Sequence, residues 1–415
     1  MSKQTGGIKQ ALLNKRMLIC VLTGFSSGLP LYILISLLPA WLRSEHVDLK
    51  SIGLFALIQL PFTWKFLWAP FFDRFIPPLG RRRGWLFITQ VALLVSIPFF
   101  GVLHPQVDLW AIAYLAGLVA FFSASQDIVL DAYRRELLLD NELGIGNAIH
   151  VNAYKIAGLV PGSLSLILAE YWPWQTVFSI TALFMLPGVI MTLLVTEPML
   201  NSGAPRTLRA AVVEPFQEFI GRKGLGSALT ILAFIFFYKL GDSMATSLAT
   251  PFYLDMGFSK VEIGLVAKNA GLWPSVIGGM LGGVWMMKLG VNRALWIFGA
   301  VQMLAILGFA WLAVVGNSLL WLAVVIGVEA LGVGLGTAVF VTYIARTTNP
   351  LYTATQFALF TSLAAVPRTF ANAVTGYLVD WLGWMNFFLF CFAIAIPGML
   401  LLFKIAPWRA DKTEI

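Results

Sequence analysis

The chain has 415 residues, of which 59% are hydrophobic and only 12% charged, with a formal net charge of +8. Soluble domains carry roughly a quarter charged residues, so a water-soluble globular protein is excluded and an integral membrane protein is expected. The positive excess lies in loops beside apolar runs, where it sets topology and does not signal a nucleic-acid partner.

Residues 1–16 are polar and basic, and no small-residue cleavage pattern follows the first apolar run. That run therefore reads as a retained helix and not as a signal peptide. Runs long enough to cross a ~30 Å hydrocarbon core as about 20 helical residues recur along the whole chain. They predict twelve helices: α1 17–39, α2 52–72, α3 85–102, α4 109–133, α5 144–168, α6 174–195, α7 227–251, α8 260–287, α9 293–315, α10 318–344, α11 353–379 and α12 384–404. Backbone groups in lipid must be satisfied within their own segment, which favours helices, and the alternating strands of a barrel are not seen. The stretch 196–226, with Pro198, Pro205 and Pro215, is the longest polar connection. It reads as a linker between halves 1–195 and 227–415. Cys20 and Cys391 have no metal or redox spacing and read as packed thiols.

Twenty of the 28 Lys and Arg residues fall on the side that holds the N-terminus and three on the other. Both termini are therefore expected in the cytoplasm. Beneath this lies a repeat. A shift of 210 residues aligns Tyr133 with Tyr343, Trp174 with Trp384, Phe178 with Phe388, and Pro187-Gly188 with Pro397-Gly398. Duplicated six-helix halves are the build of major facilitator transporters. The fold expected is thus an all-α membrane protein of that class. The loop after α2 agrees. In 69–85, Asp73-Arg74 and Gly80-Arg81-Arg82-Arg83 resemble the facilitator loop signature, in which an acid at a helix end precedes a basic cluster. Asp73, Arg74, Arg81 and Arg82 are candidate gate residues, with topology anchoring as the plain alternative.

Five basic residues remain in the predicted spans, Lys65, Lys155, Lys239, Lys268 and Arg368, with the acids Asp127, Asp131, Asp242 and Glu329. Each intramembrane charge costs at least ~2.5–3.5 kcal/mol, so these groups are expected to pair or to line water. Asp127 and Asp131 share one face of α4, and Lys239 and Asp242 stand three apart on α7. Lys65, between Trp64 and Trp68, has snorkelling as its alternative. Asp131 has a salt bridge with Arg134 or Arg135, which adds it to the gate candidates. Lys155 has the neutralising of an α4 carboxylate as its reading. No GxxxxGK[ST] loop exists for ATP. A buried carboxylate can carry a proton, which makes Glu329, Asp127 and Asp242 the coupling candidates. Glu329 and Asp127 differ by about 12 Å in depth at 1.5 Å per residue, with Glu329 toward the outside.

The stretches "GFSSGLPL" (24–31), "KFLWAPFFDRF" (65–75), "GRRRGW" (80–85), "SASQDIVLDAY" (123–133), "YKLGDSMATSL" (238–248) and "ATQFALF" (354–360) resemble the AmpG-type muropeptide permeases. The resemblance covers nearly the whole chain. It implies residence in the bacterial inner membrane and proton-driven import of anhydromuropeptides, with no cofactor or metal beyond the gradient. It further implies a part in cell-wall recycling and, in some bacteria, in induction of β-lactamase. Longer members carry extra C-terminal hydrophobic segments, whose absence here implies that they are dispensable for transport and leaves the exact cargo open. Cargo carboxylates would suit Lys65, Lys239, Lys268 and Arg368. Sugar hydroxyl and N-acetyl groups would suit Gln126, Asn269, Gln356 and Asn372, beside Asp127 and Asp242, and sugar faces would suit Trp273 or Tyr154. The expected partners are a small glycopeptide, protons and the bilayer, with the protein a monomer and no nucleic acid involved. The alternatives are a carrier of another anion such as acetyl-coenzyme A, and a non-transporting receptor. An enzyme is disfavoured because no nucleophile–base or metal constellation is visible.

Overall fold

The computed structural model describes residues 14–47, 58, 60–197, 208–258, 262–263, 266 and 268–408. The described residues are 86% helical and contain no strand. Ten helices among them are long and apolar enough to span a membrane. The difference from twelve has a local origin. Part of α2 lies outside the described residues, as do side chains within α11, and α11 and α12 are two helices that meet within Thr353–Ile405 at a kink at Gly383, where φ is 73°. The C-terminal part of the predicted linker is helical as well. Within Leu208–Tyr238 one helix starts in the linker and a second follows it across a kink at Gly224, with φ 81°. Glu218 and Arg222 support this stretch as an i,i+4 pair at 2.7 Å.

Several spans are interrupted. In α1, Lys15–Tyr32 contains Pro30 and passes through a π turn, Ile33–Leu37, into Leu38–Ser44. In α5, Leu143–Ala157 meets a second π turn, Val160–Leu164, at Pro161 before Ser165–Ala169. Proline removes a donor from the ladder, and a wider turn re-satisfies the freed carbonyls. In contrast, α4 (Leu109–Leu137), α9 (Val291–Val315) and α10 (Leu319–Thr347) are unbroken.

The chain divides into two compact units. One comprises Met1–Leu139, Ile149–Pro215 and Thr348–Leu359, and the other Asp140–Ala148, Phe216–Thr347 and Phe360–Ile415. Each unit has its own aromatic core, and the two cores share one plan. In the first, Trp41, Phe100 and Phe178 are buried, with Phe178 centred 5.1 Å from Trp41 and 5.4 Å from Phe100. In the second, Phe252, Phe309 and Phe388 take the corresponding places, with Phe388 centred 4.8 Å from Phe252 and 5.3 Å from Phe309. Trp174 and Trp384, aligned by the 210-residue shift, each stand 6.0 Å from their partner phenylalanine.

Lipid gives little hydrophobic drive for helices to associate, so close backbone approach through small residues holds them together. In the first unit, Cβ atoms at Gly24 and Gly28 would overlap the carbonyls of His150 and Tyr154 on α5. In the second, Gly278 of α8 (Lys268–Leu289) faces the Leu331 carbonyl, and Gly334 of α10 faces that of Ser275. Gly334→Val should therefore force α8 and α10 apart and lower the thermal midpoint of detergent-purified protein by at least ~4 °C. Gly221→Ala, at a position with no neighbour within 4 Å, should leave the midpoint unchanged or raise it. An unaltered midpoint in Gly334→Val would show that close contact there is dispensable.

Candidate functional site

Lys65 and Lys239 sit where helices break. The α2 segment Leu60–Trp64 tightens into a 3₁₀ turn, Lys65–Leu67, before Ala69–Arg74 begins. This turn carries Lys65 inward, leaving it 7% exposed. Its Nζ lies 3.7 Å from Asp131 Oδ2, and Arg134 Nη2 lies 2.8 Å from Asp131 Oδ1. Lys65 thus does not snorkel. One turn earlier on α4, Asp127 accepts a hydrogen bond of 2.5 Å from Ser27 Oγ. Gln126, fully buried, donates to the Ser26 carbonyl at 2.8 Å. Trp68 Nε1 donates to Ser125 Oγ at 3.0 Å, tying α2 to α4. The two aspartates four residues apart therefore have different partners.

A second cluster lies at the end of α2. Arg82 and Asp73 are both fully buried, and Arg82 Nη2 lies 2.9 Å from Asp73 Oδ1 and 2.7 Å from Glu136 Oε1. Arg81 Nη2 reaches the same Glu136 oxygen at 2.7 Å. Burial alone would lower the Arg82 pKa, but the Glu136 and Asp73 charges outweigh it and hold the guanidinium above its ordinary value. Burial and the adjacent Arg82 charge lower that of Arg81, with Glu136 opposing them. The second oxygen of Asp73 accepts from Thr355 N at 3.0 Å and Thr355 Oγ1 at 2.8 Å, so it caps the first turn of the helix that starts at Thr353. Arg74 instead lies over the Phe75 ring at 5.5 Å. Glu197, past the end of α6, accepts from Arg82 N at 2.7 Å and Arg83 N at 3.0 Å. Gly80, at φ 114°, leaves the space that Glu197 needs.

In the other unit, α7 stops at Tyr238 and resumes as Leu240–Ser247, with Lys239 at the break. Lys239 Nζ donates to Gln302 Oε1 at 3.1 Å and to Thr337 Oγ1 at 3.0 Å. Asp242, half-buried, borders a crevice beside Gln302. Glu329 is half-buried on α10, within electrostatic reach of Tyr253. Lys155 is half-buried, Asn269 and Trp273 are exposed, and Tyr154 stacks obliquely on Tyr32 with centroids 5.8 Å apart. Gln356 is buried and donates to the Pro215 carbonyl at 2.9 Å. The side chains of Lys268, Arg368 and Asn372 lie outside the described residues.

Sequence reasoning did not single out Glu136, Glu197, Thr355, Gln302 or Thr337. Glu136 was visible as the one acid beside Arg134 and Arg135. Gln302 was an amide in an otherwise apolar span, a signal overlooked because it carries no charge. Among the described residues no group of His, Cys, Asp and Glu is placed to hold a metal ion.

Residues 20–371 match the Major Facilitator Superfamily. The chain is 42% identical over 390 residues to the anhydromuropeptide permease of Escherichia coli K12, covering 93% of this chain and 79% of that protein. It is 32% identical to a putative transporter, AmpG 4, of Rickettsia conorii, covering 91% of this chain and 94% of the relative. An uncharacterized Haemophilus influenzae protein is 50% identical over 99% of both chains. Among solved structures, the major facilitator transporter FucP matches with a TM-score of 0.67 at 13% identity, over 94% of this chain and 99% of that one. The human organic anion transporter MFSD10 matches with a TM-score of 0.66 at 16% identity, over 93% and 98%.

Arg82 is the keystone of the Asp73–Glu136 cluster. Arg82→Leu would leave two carboxylates buried without their main countercharge, at a cost of about 3–5 kcal/mol. Folded, monodisperse yield should collapse. Arg82→Lys keeps the charge but not the planar fork and should be intermediate. Equal yields for wild type and Arg82→Leu would contradict this account.

Proposed function

The chain belongs to the Major Facilitator Superfamily and, within it, to the AmpG-type permeases, and we propose that it imports anhydromuropeptides, driven by the proton gradient. It is a multi-pass membrane transporter and not an enzyme. The observation that carries the cargo assignment is the 42% identity, over 93% of the chain, to a permease named for that cargo.

The chemistry of the site supports this reading. A disaccharide–peptide presents carboxylates, which need cations held away from bulk water. Lys65 and Lys239 supply them from breaks in α2 and α7, as discontinuous helices do in other secondary transporters. Lys268 and Arg368 complete the cationic set, and Gln126 and Asn269 receive hydroxyl and N-acetyl groups. Asp127 and Asp242 hold cargo polar groups and, with Glu329, exchange protons. Asp73, Arg74, Arg81, Arg82 and Asp131 form the gate. The Asp73 cap on α11 supports its role as a latch that strengthens or releases with each cycle. In this reading, halves 1–195 and 227–415, joined by 196–226, lie in the bacterial inner membrane with both termini cytoplasmic. The protein works as a monomer and returns wall fragments to peptidoglycan recycling.

Purified protein in liposomes, with acid outside, should accumulate labelled anhydromuropeptide and lose that accumulation on addition of a protonophore. Excess acetyl-coenzyme A should not compete. Binding without accumulation would identify a receptor instead, and accumulation that survives the protonophore would overturn proton coupling.

The two carboxylates should separate by assay. Glu329→Gln, which mimics the protonated acid, should retain cargo binding and counterflow exchange yet lose uphill accumulation. Asp127→Asn should weaken binding itself by about tenfold or more, the equivalent of one charge-assisted hydrogen bond. Calorimetry and counterflow on both variants read the difference. Uphill accumulation by Glu329→Gln would remove that residue from the coupling path.

A further inference from the structure

Gln302 stands in the middle of α9, an apolar helix, and is 3% exposed. A buried amide is costly unless both its atoms are hydrogen-bonded. Its Oε1 accepts from Lys239 Nζ at 3.1 Å. It reaches that place through a notch in α10, where a Cβ at Gly336 would overlap Oε1 and one at Gly332 would stand 3.2 Å from the Gln302 Cα. Thr337, next to the notch, is the second acceptor for the ammonium at 3.0 Å. The Nε2 of Gln302, however, is buried without a partner among the described residues.

A buried amide on the matching helix of the other unit behaves differently. Gln90, 212 residues earlier on α3, is also fully buried. Its Nε2 lies 3.4 Å from Ser26 Oγ, and its Oε1 accepts from Thr192 Oγ1 at 2.8 Å. Gln90 spends both atoms on neighbouring helices, whereas Gln302 keeps one donor in reserve.

That donor belongs to a residue lining a crevice of about 10 Å³, room for a single water, bordered by Asp242 and Gln302 among Tyr238, Met303, Ile306 and Ala395. The Tyr238 hydroxyl already donates to the Leu295 carbonyl at 3.0 Å. One amide donor and one carboxylate are too few polar groups to recognise a metabolite. They suit a water, which needs two to four polar partners. We infer that the crevice is a water site, in which a water accepts from Gln302 Nε2 and donates to the Asp242 carboxylate, so that Gln302 positions Lys239 and Asp242 relative to each other. Cys391 of α12 is a further titratable group within electrostatic reach of Asp242. Gln302 is thus a positioning residue. It touches no cargo and fixes the two charged groups that do under the transport reading, on which only the transport arm of the test rests.

A double-mutant cycle decides the water site without any cargo. Ala395→Val fills the crevice from α12. If a water is held there, its displacement strands the Gln302 donor, and the thermal midpoint should fall by about 3 °C or more. In a Gln302→Met background the same substitution should cost less than half as much, because the stranded donor is gone. An equal shift in both backgrounds, or a rise in the wild-type background from filling a dry void, would overturn the inference. The transport arm compares Gln302→Met with Gln302→Glu, which keeps an oxygen for Lys239. Gln302→Met should lower uptake at least tenfold with folded yield preserved, and Gln302→Glu should recover part of that loss. Equal uptake in the two variants would overturn the positioning role, and failure of the wild type to take up anhydromuropeptide would count against the transport reading alone.

Discussion

An ion taken out of water is stable only if other charges and dipoles replace its hydration, and the cluster around Arg82 meets that condition at a fully buried position. Asp73 and Glu136 bind the guanidinium, and the geometry of its planar fork lets one side chain satisfy two carboxylates. The arrangement also orients Asp73, whose free oxygen is thereby aimed at the first turn of α11. A residue at the end of α2 thus fixes the start of a helix through a contact with Thr355, 282 residues later in the chain. The Gly80 turn and the Glu197 cap hold the start of α3 in the position that makes this possible.

The same requirement explains the breaks in α2 and α7. A lysine on a straight helix in lipid would have to extend toward an interface. At Lys65 the helix tightens into a 3₁₀ turn, and at Lys239 it stops and restarts. Each interruption moves a cation from the helix surface to acceptors inside its own unit, Asp131 in one case and Gln302 with Thr337 in the other. Local irregularity of the hydrogen-bond ladder is tolerated because the side chains that surround it are polar. At Lys65 and Lys239 the cation and the backbone irregularity are therefore two aspects of one solution.

Glycine makes the polar contacts geometrically possible. Gly188 admits the Ser26 hydroxyl that receives Gln90, and Gly336 admits the Gln302 oxygen that receives Lys239. Small residues in these helices do more than bring backbones together. They open the notches through which amide side chains from α3 and α9 reach α1 and α7, so that helices without any central charge still help to hold the charged ones in place.

Hydropathy, charge placement and internal repetition determined the class of the molecule. Long apolar runs have one stable form in lipid, and a shift of 210 residues carried Trp174 and Phe178 onto residues that pack in the same way in the second unit. The sequence also identified which charges would need partners, since their cost depends on composition and not on fold. It left open which partners they take. Asp127 and Asp131 share a helix face, yet one meets Ser27 and the other Lys65 and Arg134. Glu136, Thr355 and Gln302 do not stand out in sequence, because a hydrogen bond a few ångströms long can join residues hundreds of positions apart. Periodicity along one chain reports only which face a residue occupies. What stands opposite that face is set by helix packing, and packing exists only in three dimensions.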